Sequence, residues 1–114
     1  MENVIQSKSF RFALRVVKLC KFLQDTQKEF IMTKQLLRCG TSIGANVAES
    51  EHAQSKADFS SKLNIALKEA AETDYWLRLL HEAEILSDSE FQSIYTDCQE
   101  IERLLASIVK TTKK

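Results

Sequence analysis

Glu49 and His52 carry a spacing that is typical of metal chemistry, a Glu-x-x-His on a predicted helix. Side chains three residues apart share one side of a helix, so both could bind the same metal ion. Carboxylate-bridged di-iron bundles need this motif twice, plus a glutamate from each of two other helices. The only other histidine is His81, which has Arg78 where the second glutamate should be. A metal-dependent enzyme therefore stays only as an alternative, and we predict no metal ligands.

Other catalytic patterns are missing from the sequence. No serine or cysteine lies in a recognisable nucleophile motif. Glycine occurs only at Gly40 and Gly44, which are too few for a glycine-rich loop that binds phosphate. We therefore predict a protein that is not an enzyme and that uses no cofactor.

Four basic residues on the first predicted helix could bind an anion, and we call them the basic edge: Lys8, Arg11, Arg15 and Lys18. Their spacing places them along one edge of that helix. Such an edge could contact the phosphates of a nucleic acid, pair with an acidic neighbouring subunit, or simply be solvated. The sequence leaves these three interpretations open.

The charge of the chain is unevenly distributed although its total is zero. Residues 1–40 carry eight Lys or Arg against three acidic residues, and residues 41–114 carry eight against thirteen. The zero total argues against a strong nonspecific nucleic-acid binder. The uneven distribution allows either a local basic surface or contacts between oppositely charged surfaces of two subunits.

The composition predicts an all-α chain with a single domain over residues 1–114. It has no proline, two glycines and no alternating run of β-branched residues. No apolar stretch approaches the roughly 20 residues that a membrane span needs, and the N-terminus lacks the apolar core of a signal peptide. We expect a cytoplasmic protein without membrane contact, in which Cys20, Cys39 and Cys98 are small buried hydrophobes.

The apolar periodicity predicts four helices in up-down-up-down order, and the first covers about residues 9–24. Apolar residues occupy more than half of the circumference of that helix. They form two stripes, Phe10, Ala13, Val17 and Cys20, and Phe12, Val16, Leu19 and Leu23. A single neighbouring helix pair would not need so much apolar surface.

The second helix is predicted to start with Thr33 as its cap and to reach about residue 52. Gly40 and Gly44 inside it cost about 1 kcal/mol each relative to alanine, so another helix should approach them closely. The alternative is that Gly40 ends one short helix and that Thr41 or Ser42 caps another.

Ser55 and Ser87 each begin a capping-box pattern, so helix three should run from residue 56 to about 86 and helix four should follow at once. One side of helix three forms the bundle seam. A second side carries an apolar set that we name the α3 face: Ile65, Trp76, Leu79 and Ala83. Two apolar directions on helices one and three, together with the opposite charges of the two halves, favour association. A protomer with oppositely charged halves favours a head-to-tail interface, which can close into a ring. The alternative is a monomer with exposed apolar atoms.

The order and spacing of several segments resemble the bacterial four-helix-bundle family named for proteins encoded in 23S ribosomal RNA intervening sequences. These segments are QLLR at residues 35–38, TSIGANVAE at 41–49, SKADF at 55–59, IALKEA at 65–70 and the Glu, Thr, Tyr, Trp and Leu of 72–77. The sequence is also similar to the accessory protein of diversity-generating retroelements, a pentameric barrel that binds nucleic acid and a reverse transcriptase.

The resemblance implies an up-down bundle, assembly into a homopentameric ring, and a nucleic-acid or protein partner such as a reverse transcriptase. By position, Ser42, Asn46 and Glu49 match the signature polar residues of the family, with structural roles or roles at subunit contacts. The retroelement accessory proteins are markedly basic, whereas this chain is neutral. That departure counts against nucleic-acid binding.

Overall fold

The computed structural model describes residues 3–112, which form four helices and no strand. The helices are α1 (Val4–Gln27), α2 (Ile31–Ser50), α3 (Lys56–Glu82) and α4 (Asp88–Thr112). Connections of three to five residues make successive helices antiparallel. Each helix packs against the next, and α4 also touches α1, so the predicted four-helix bundle is confirmed. Among these described residues, no helix is both long enough and apolar enough to cross a membrane.

The start of α2 differs from the prediction. Thr33 is buried inside the helix rather than capping it. The Glu29 carboxylate takes the capping role, because it accepts hydrogen bonds from the backbone N–H groups of Ile31 at 2.8 Å and Met32 at 2.6 Å. Thr33 instead donates its hydroxyl hydrogen to the Glu29 carbonyl oxygen at 2.8 Å.

The predicted caps of α3 and α4 are confirmed. The Ser55 hydroxyl accepts from the Asp58 N–H at 3.0 Å, and the Ser87 hydroxyl accepts from the Glu90 N–H at 3.2 Å. Helix α3 nevertheless ends at Glu82, before the predicted residue 86. The chain turns there because Glu84 adopts a positive φ of 62°.

Both glycines of α2 lie in one continuous helix that contacts α1 closely. A Cβ atom at Gly40 would lie 2.8 Å from Val16 Cγ1, and one at Gly44 would lie 3.2 Å from the carbonyl oxygen of Ser9. Both distances are shorter than ordinary van der Waals contact. The predicted close approach is therefore confirmed, and the alternative of a helix break at Gly40 is wrong.

The core lies along the bundle axis and takes only part of the apolar surface of α1. Phe12, Val16 and Leu23 are buried as the second predicted stripe requires. The first stripe is divided, because Phe10 is 72% exposed and Val17 is 43% exposed while Cys20 points into the core. Helix α1 also begins at Val4 instead of residue 9. The three cysteines are buried free thiols, as predicted.

Candidate interaction surfaces

The α3 face lies on the outside of the bundle. Ile65 is 39% exposed, Leu79 is 36% exposed and Ala83 is also exposed, whereas Trp76 is half-buried against the core. The indole Nε1–H of Trp76 donates to Glu72 at 3.0 Å, which orients the ring along the helix surface. Ile65, Trp76 and Leu79 therefore share one side of α3, Ala83 follows directly after its last residue, and all four are accessible to some degree.

An ion-pair network joins this face to α2. The Arg38 guanidinium contacts the carboxylate of Glu72 and lies 3.4 Å from that of Glu69. The Gln35 side-chain oxygen accepts from Nε and Nη2 of Arg38, both at 3.2 Å. Arg38 is half-exposed, so solvent screens these pairs and they contribute little to stability. They link the α3 face to α2 at the surface of the protein.

Ser42, Asn46 and Glu49 lie on the same side of α2 as Arg38. The Asn46 side-chain amide donates to the Ser42 carbonyl oxygen at 2.9 Å and to its hydroxyl at 3.1 Å. Glu49 pairs with Lys62 of α3 at 3.2 Å. The predicted polar side of α2 thus makes contacts within one protomer.

The basic edge is divided between two environments. Lys8 pairs with Glu100 at 2.7 Å, and Arg15 pairs with Asp97 while donating to the Ser93 hydroxyl at 2.8 Å. Arg11 and Lys18 are exposed and form no ion pair with any other residue in the range 3–112. Two of the four predicted cations therefore bind α4, and the other two face solvent.

A groove of about 460 Å³ separates α1 from α4 beside this edge. Apolar and polar residues both line it: Arg15, Lys18, Leu19, Phe22, Ser89, Glu90, Ser93 and Ile94. The groove exists because α1 contacts α4 much less extensively than it contacts α2.

The predicted Glu-x-x-His pair does not converge on one point. Glu49 is engaged by Lys62, and His52 is exposed beyond the end of α2. His81 stacks on Phe91 with ring centroids 4.1 Å apart, and its Nε2 lies 2.6 Å from an Asp88 carboxylate oxygen. His81 therefore packs against α4, and His52 faces solvent.

The structure brings together a polar cluster between α3 and α4 that sequence reasoning missed. The carboxyl oxygens of Asp74 and Glu102 and the thiol of Cys98 lie within 4.8 Å of one another. Asp74 accepts hydrogen bonds from Arg78 Nε at 2.7 Å and from the Tyr95 hydroxyl at 3.1 Å. We call these five residues the α3–α4 polar cluster. The i, i+4 spacing of Asp74 and Arg78 was a local signal, but it did not reveal the partners on α4.

The surroundings of this cluster shift the pKa values of its carboxyl groups in opposite directions. Burial, together with the neighbouring Asp74, raises the pKa of Glu102 to about 7. Burial also acts against ionisation of Asp74, but hydrogen bonds from Glu102, Arg78 and Tyr95 hold its pKa below the usual value. Burial raises the pKa of the Cys98 thiol, which keeps it neutral. A neutral thiol and a carboxylate already held by Arg78 make a poor set of metal ligands.

Comparison with known families agrees with the four-helix fold. The family model described as 23S rRNA-intervening sequence protein matches residues 1–107. The chain belongs to this family. Of the three α2 residues expected to match the signature of the 23S rRNA-intervening sequence proteins, Asn46 donates to Ser42 within α2 and Glu49 pairs with Lys62 of α3.

A solved structure is also similar to this chain, a crystal structure of a protein of unknown function from the S23 ribosomal protein family of Bacteroides thetaiotaomicron VPI-5482. The two chains are 57% identical with a TM-score of 0.91, and the match covers 93% of this chain and 98% of the other. No curated protein matches the chain. Neither the name of the family nor that of the similar structure denotes an enzyme.

Proposed function

We propose that this member of the 23S rRNA-intervening sequence protein family is a non-enzymatic scaffold that assembles into a homopentameric ring in the cytoplasm. The observation that carries the proposal is the α3 face, which places Ile65, Leu79 and Ala83 at the surface in addition to the core seam of the same helix. The ring size of five follows from the family resemblance. A protein such as a reverse transcriptase, or a nucleic acid, would bind the exposed edge of the ring.

The physical support for assembly is the removal of apolar area from water. Ile65, Leu79 and Ala83 gain free energy only when a further surface covers them. The Arg38 network holds polar atoms beside them in satisfied hydrogen bonds, so docking there would not strand an unpaired carboxylate. An apolar centre with a polar rim is the usual composition of a subunit interface.

The mass of the protein in solution tests this proposal. Light scattering after size exclusion at micromolar concentration should give about five times the 13.0 kDa protomer mass. Ile65→Asp with Leu79→Asp should give monomers, because each change would bury a charge at the interface. Ile31→Asp is the matched control, since Ile31 is 81% exposed at the bundle end and lies off the α3 face. A monomeric wild-type protein would overturn the proposal.

Direct nucleic-acid binding is a second candidate function, and the exposed cations Arg11 and Lys18 favour it. Arg11→Ala with Lys18→Ala should weaken binding to RNA or DNA and lower the salt slope of the binding constant by about 2. Lys34→Ala with Lys110→Ala removes the same charge elsewhere and is the control. Affinity that is unchanged in the first variant, or that does not depend on salt, would contradict this function.

A further inference from the structure

We propose that the α3 face of one copy docks on an apolar surface of α1 in the next copy, which makes the interface head-to-tail. We call that surface the α1 face: Phe10, Leu14 and Val17. This inference rests on the proposed self-assembly and adds to it the identity of the surface that the α3 face binds.

The α1 face is the most exposed apolar surface within one helix of the described chain. Phe10 is 72% exposed, Leu14 is 48% exposed and Val17 is 43% exposed, and their i, i+4, i+7 spacing aligns them on one side of α1. The opposite side of α1 already fills the core with Phe12 and Val16. The protomer therefore completes its own fold without these three side chains, which remain available to a partner.

The shape beside Phe10 suits a bulky side chain from another molecule. An open notch of about 320 Å³ lies between α1 and α2, and its walls include Phe10, Gly44 and Ala48. The notch is open because the glycine and the alanine occupy little volume on the α2 side. An interface anchor is characteristically an aromatic or large aliphatic group that fills such a recess. Ile65 and Leu79, the exposed aliphatic side chains of the α3 face, are groups of that kind.

The charges of the two surfaces select another copy of this chain as the occupant. Helix α1 carries five basic residues and one acidic residue, whereas α3 carries four basic and five acidic residues. Arg11, Lys18 and Lys21 are exposed around the α1 face. On the α3 face, Glu69 and Glu72 share the single guanidinium of Arg38. Two α1 faces would repel each other, and an α1 face on an α3 face would not.

The positions of the two faces also fit a closed assembly. Phe10 contacts the α2 side of the bundle beside Gly44, and the α3 face is tied to α2 through Arg38. Both faces therefore flank α2 instead of lying on opposite sides of the bundle. When the two surfaces of a head-to-tail contact are not diametrically opposed, each added copy is rotated relative to the one before it. Such contacts can close into a ring.

A mixing experiment separates head-to-tail docking from other pairings. The α1-face variant is Phe10→Asp with Leu14→Asp, and the α3-face variant is Ile65→Asp with Leu79→Asp. Each should be monomeric alone, because each retains only one of the two surfaces. A 1:1 mixture should form a heterodimer of twice the protomer mass and nothing larger, since one intact α3 face meets one intact α1 face. Sedimentation equilibrium or native mass spectrometry measures this directly.

Two single substitutions guard against variants that fail to fold. Phe10→Glu and Ala83→Glu alter one exposed position each, and circular dichroism checks that both remain helical. Each should shift assembly to higher protein concentration, whereas Ile31→Asp should not.

The possible failures are distinct. If the wild-type protein is monomeric, self-assembly itself is wrong. If wild type assembles but the α1-face variant keeps the wild-type mass, the α1 face takes no part in the interface. If the α1-face variant dimerises alone, the α3 face pairs with itself. If both variants are monomeric and the mixture stays monomeric, the two faces do not bind each other, and the inference is overturned while assembly stands.

Discussion

The α1–α2 contact and the α3–α4 contact differ in what holds the helices together. In the first, Gly40 lies against Val16 and Gly44 lies against the backbone of Ser9, so side-chain volume decides how close the helices come. In the second, Asp74 and Glu102 lie within the helix contact and share it with apolar neighbours. The first contact should therefore respond to the size of a side chain, and the second to pH.

The largest expected effect is at the α1–α2 contact. Gly40→Ala should destabilise the protomer by about 2–3 kcal/mol, because the new Cβ would overlap Val16. The free energy lost to this overlap exceeds what the higher helix propensity of alanine recovers. Val16→Ala provides room, so the double variant should lose less stability than the two single variants together. Denaturant unfolding at two pH values measures this, and the Gly40→Ala effect should be the same at both.

If Gly40→Ala lowered the free energy of unfolding by less than about 0.5 kcal/mol, this account of the contact would be wrong, because Val16 could then move without resistance. Thr41→Ala is a control in the same helix. Its hydroxyl donates to the Leu37 carbonyl oxygen at 2.7 Å within α2, so its removal does not change the distance between α1 and α2.

The next effect is the pH dependence of the α3–α4 contact. The pKa of Glu102 is raised from 4.5 to about 7 in the folded state, so its contribution to stability is complete below pH 4.5 and is lost as the pH rises through about 7. Asp74 acts in the opposite sense, because its pKa is lowered and its contribution is lost as the pH falls below 3.8. Arg78, Tyr95 and Cys98 are the other ionisable groups that face this pair.

Glu102→Gln tests the assignment. The free energy of unfolding of the wild type should fall by about 1–2 kcal/mol between about pH 5 and pH 8, and the variant should lack most of this slope because glutamine stays neutral. At pH 8 the variant should be at least as stable as wild type. If the free energy of unfolding of Glu102→Gln kept the wild-type dependence on pH, another group would be responsible for it. Gly40→Ala is the control and should retain the wild-type slope.

Local signals in the sequence predicted the parts of this fold that depend on neighbours in the chain. The serine caps at Ser55 and Ser87 and the close approach at Gly40 each follow from a few adjacent residues. The Glu29 cap was missed because a carboxylate two residues before the helix competes with Thr33, and the local pattern alone does not rank them.

The candidate surfaces also combine features that one helix determines with features that depend on how the helices pack. Helical spacing was enough to place Ile65, Leu79 and Ala83 on one side of α3, because that property belongs to one helix. It could not decide that Phe10 is exposed while Phe12 is buried, since both lie in apolar stripes and only the position of α2 separates them. The pairing of Asp74 with Glu102 was equally inaccessible, because it depends on how α3 and α4 align along their lengths.

The smallest expected effect is at the contact between α1 and α4. A substitution there serves as a reference for the effects expected at the α1–α2 and α3–α4 contacts. Lys8 and Glu100 form an ion pair at 2.7 Å, but their side chains are 38% and 45% exposed. Lys8→Ala should therefore cost no more than about 0.5 kcal/mol, and the cost should vanish at high salt. It should leave the pH slope between about pH 5 and pH 8 unchanged, because this ion pair joins α1 to α4 and lies outside the α3–α4 polar cluster. If Lys8→Ala instead altered that slope, surface charge would contribute to the pH response now assigned to Glu102, and the contrast between a volume-controlled and a proton-controlled helix contact would weaken.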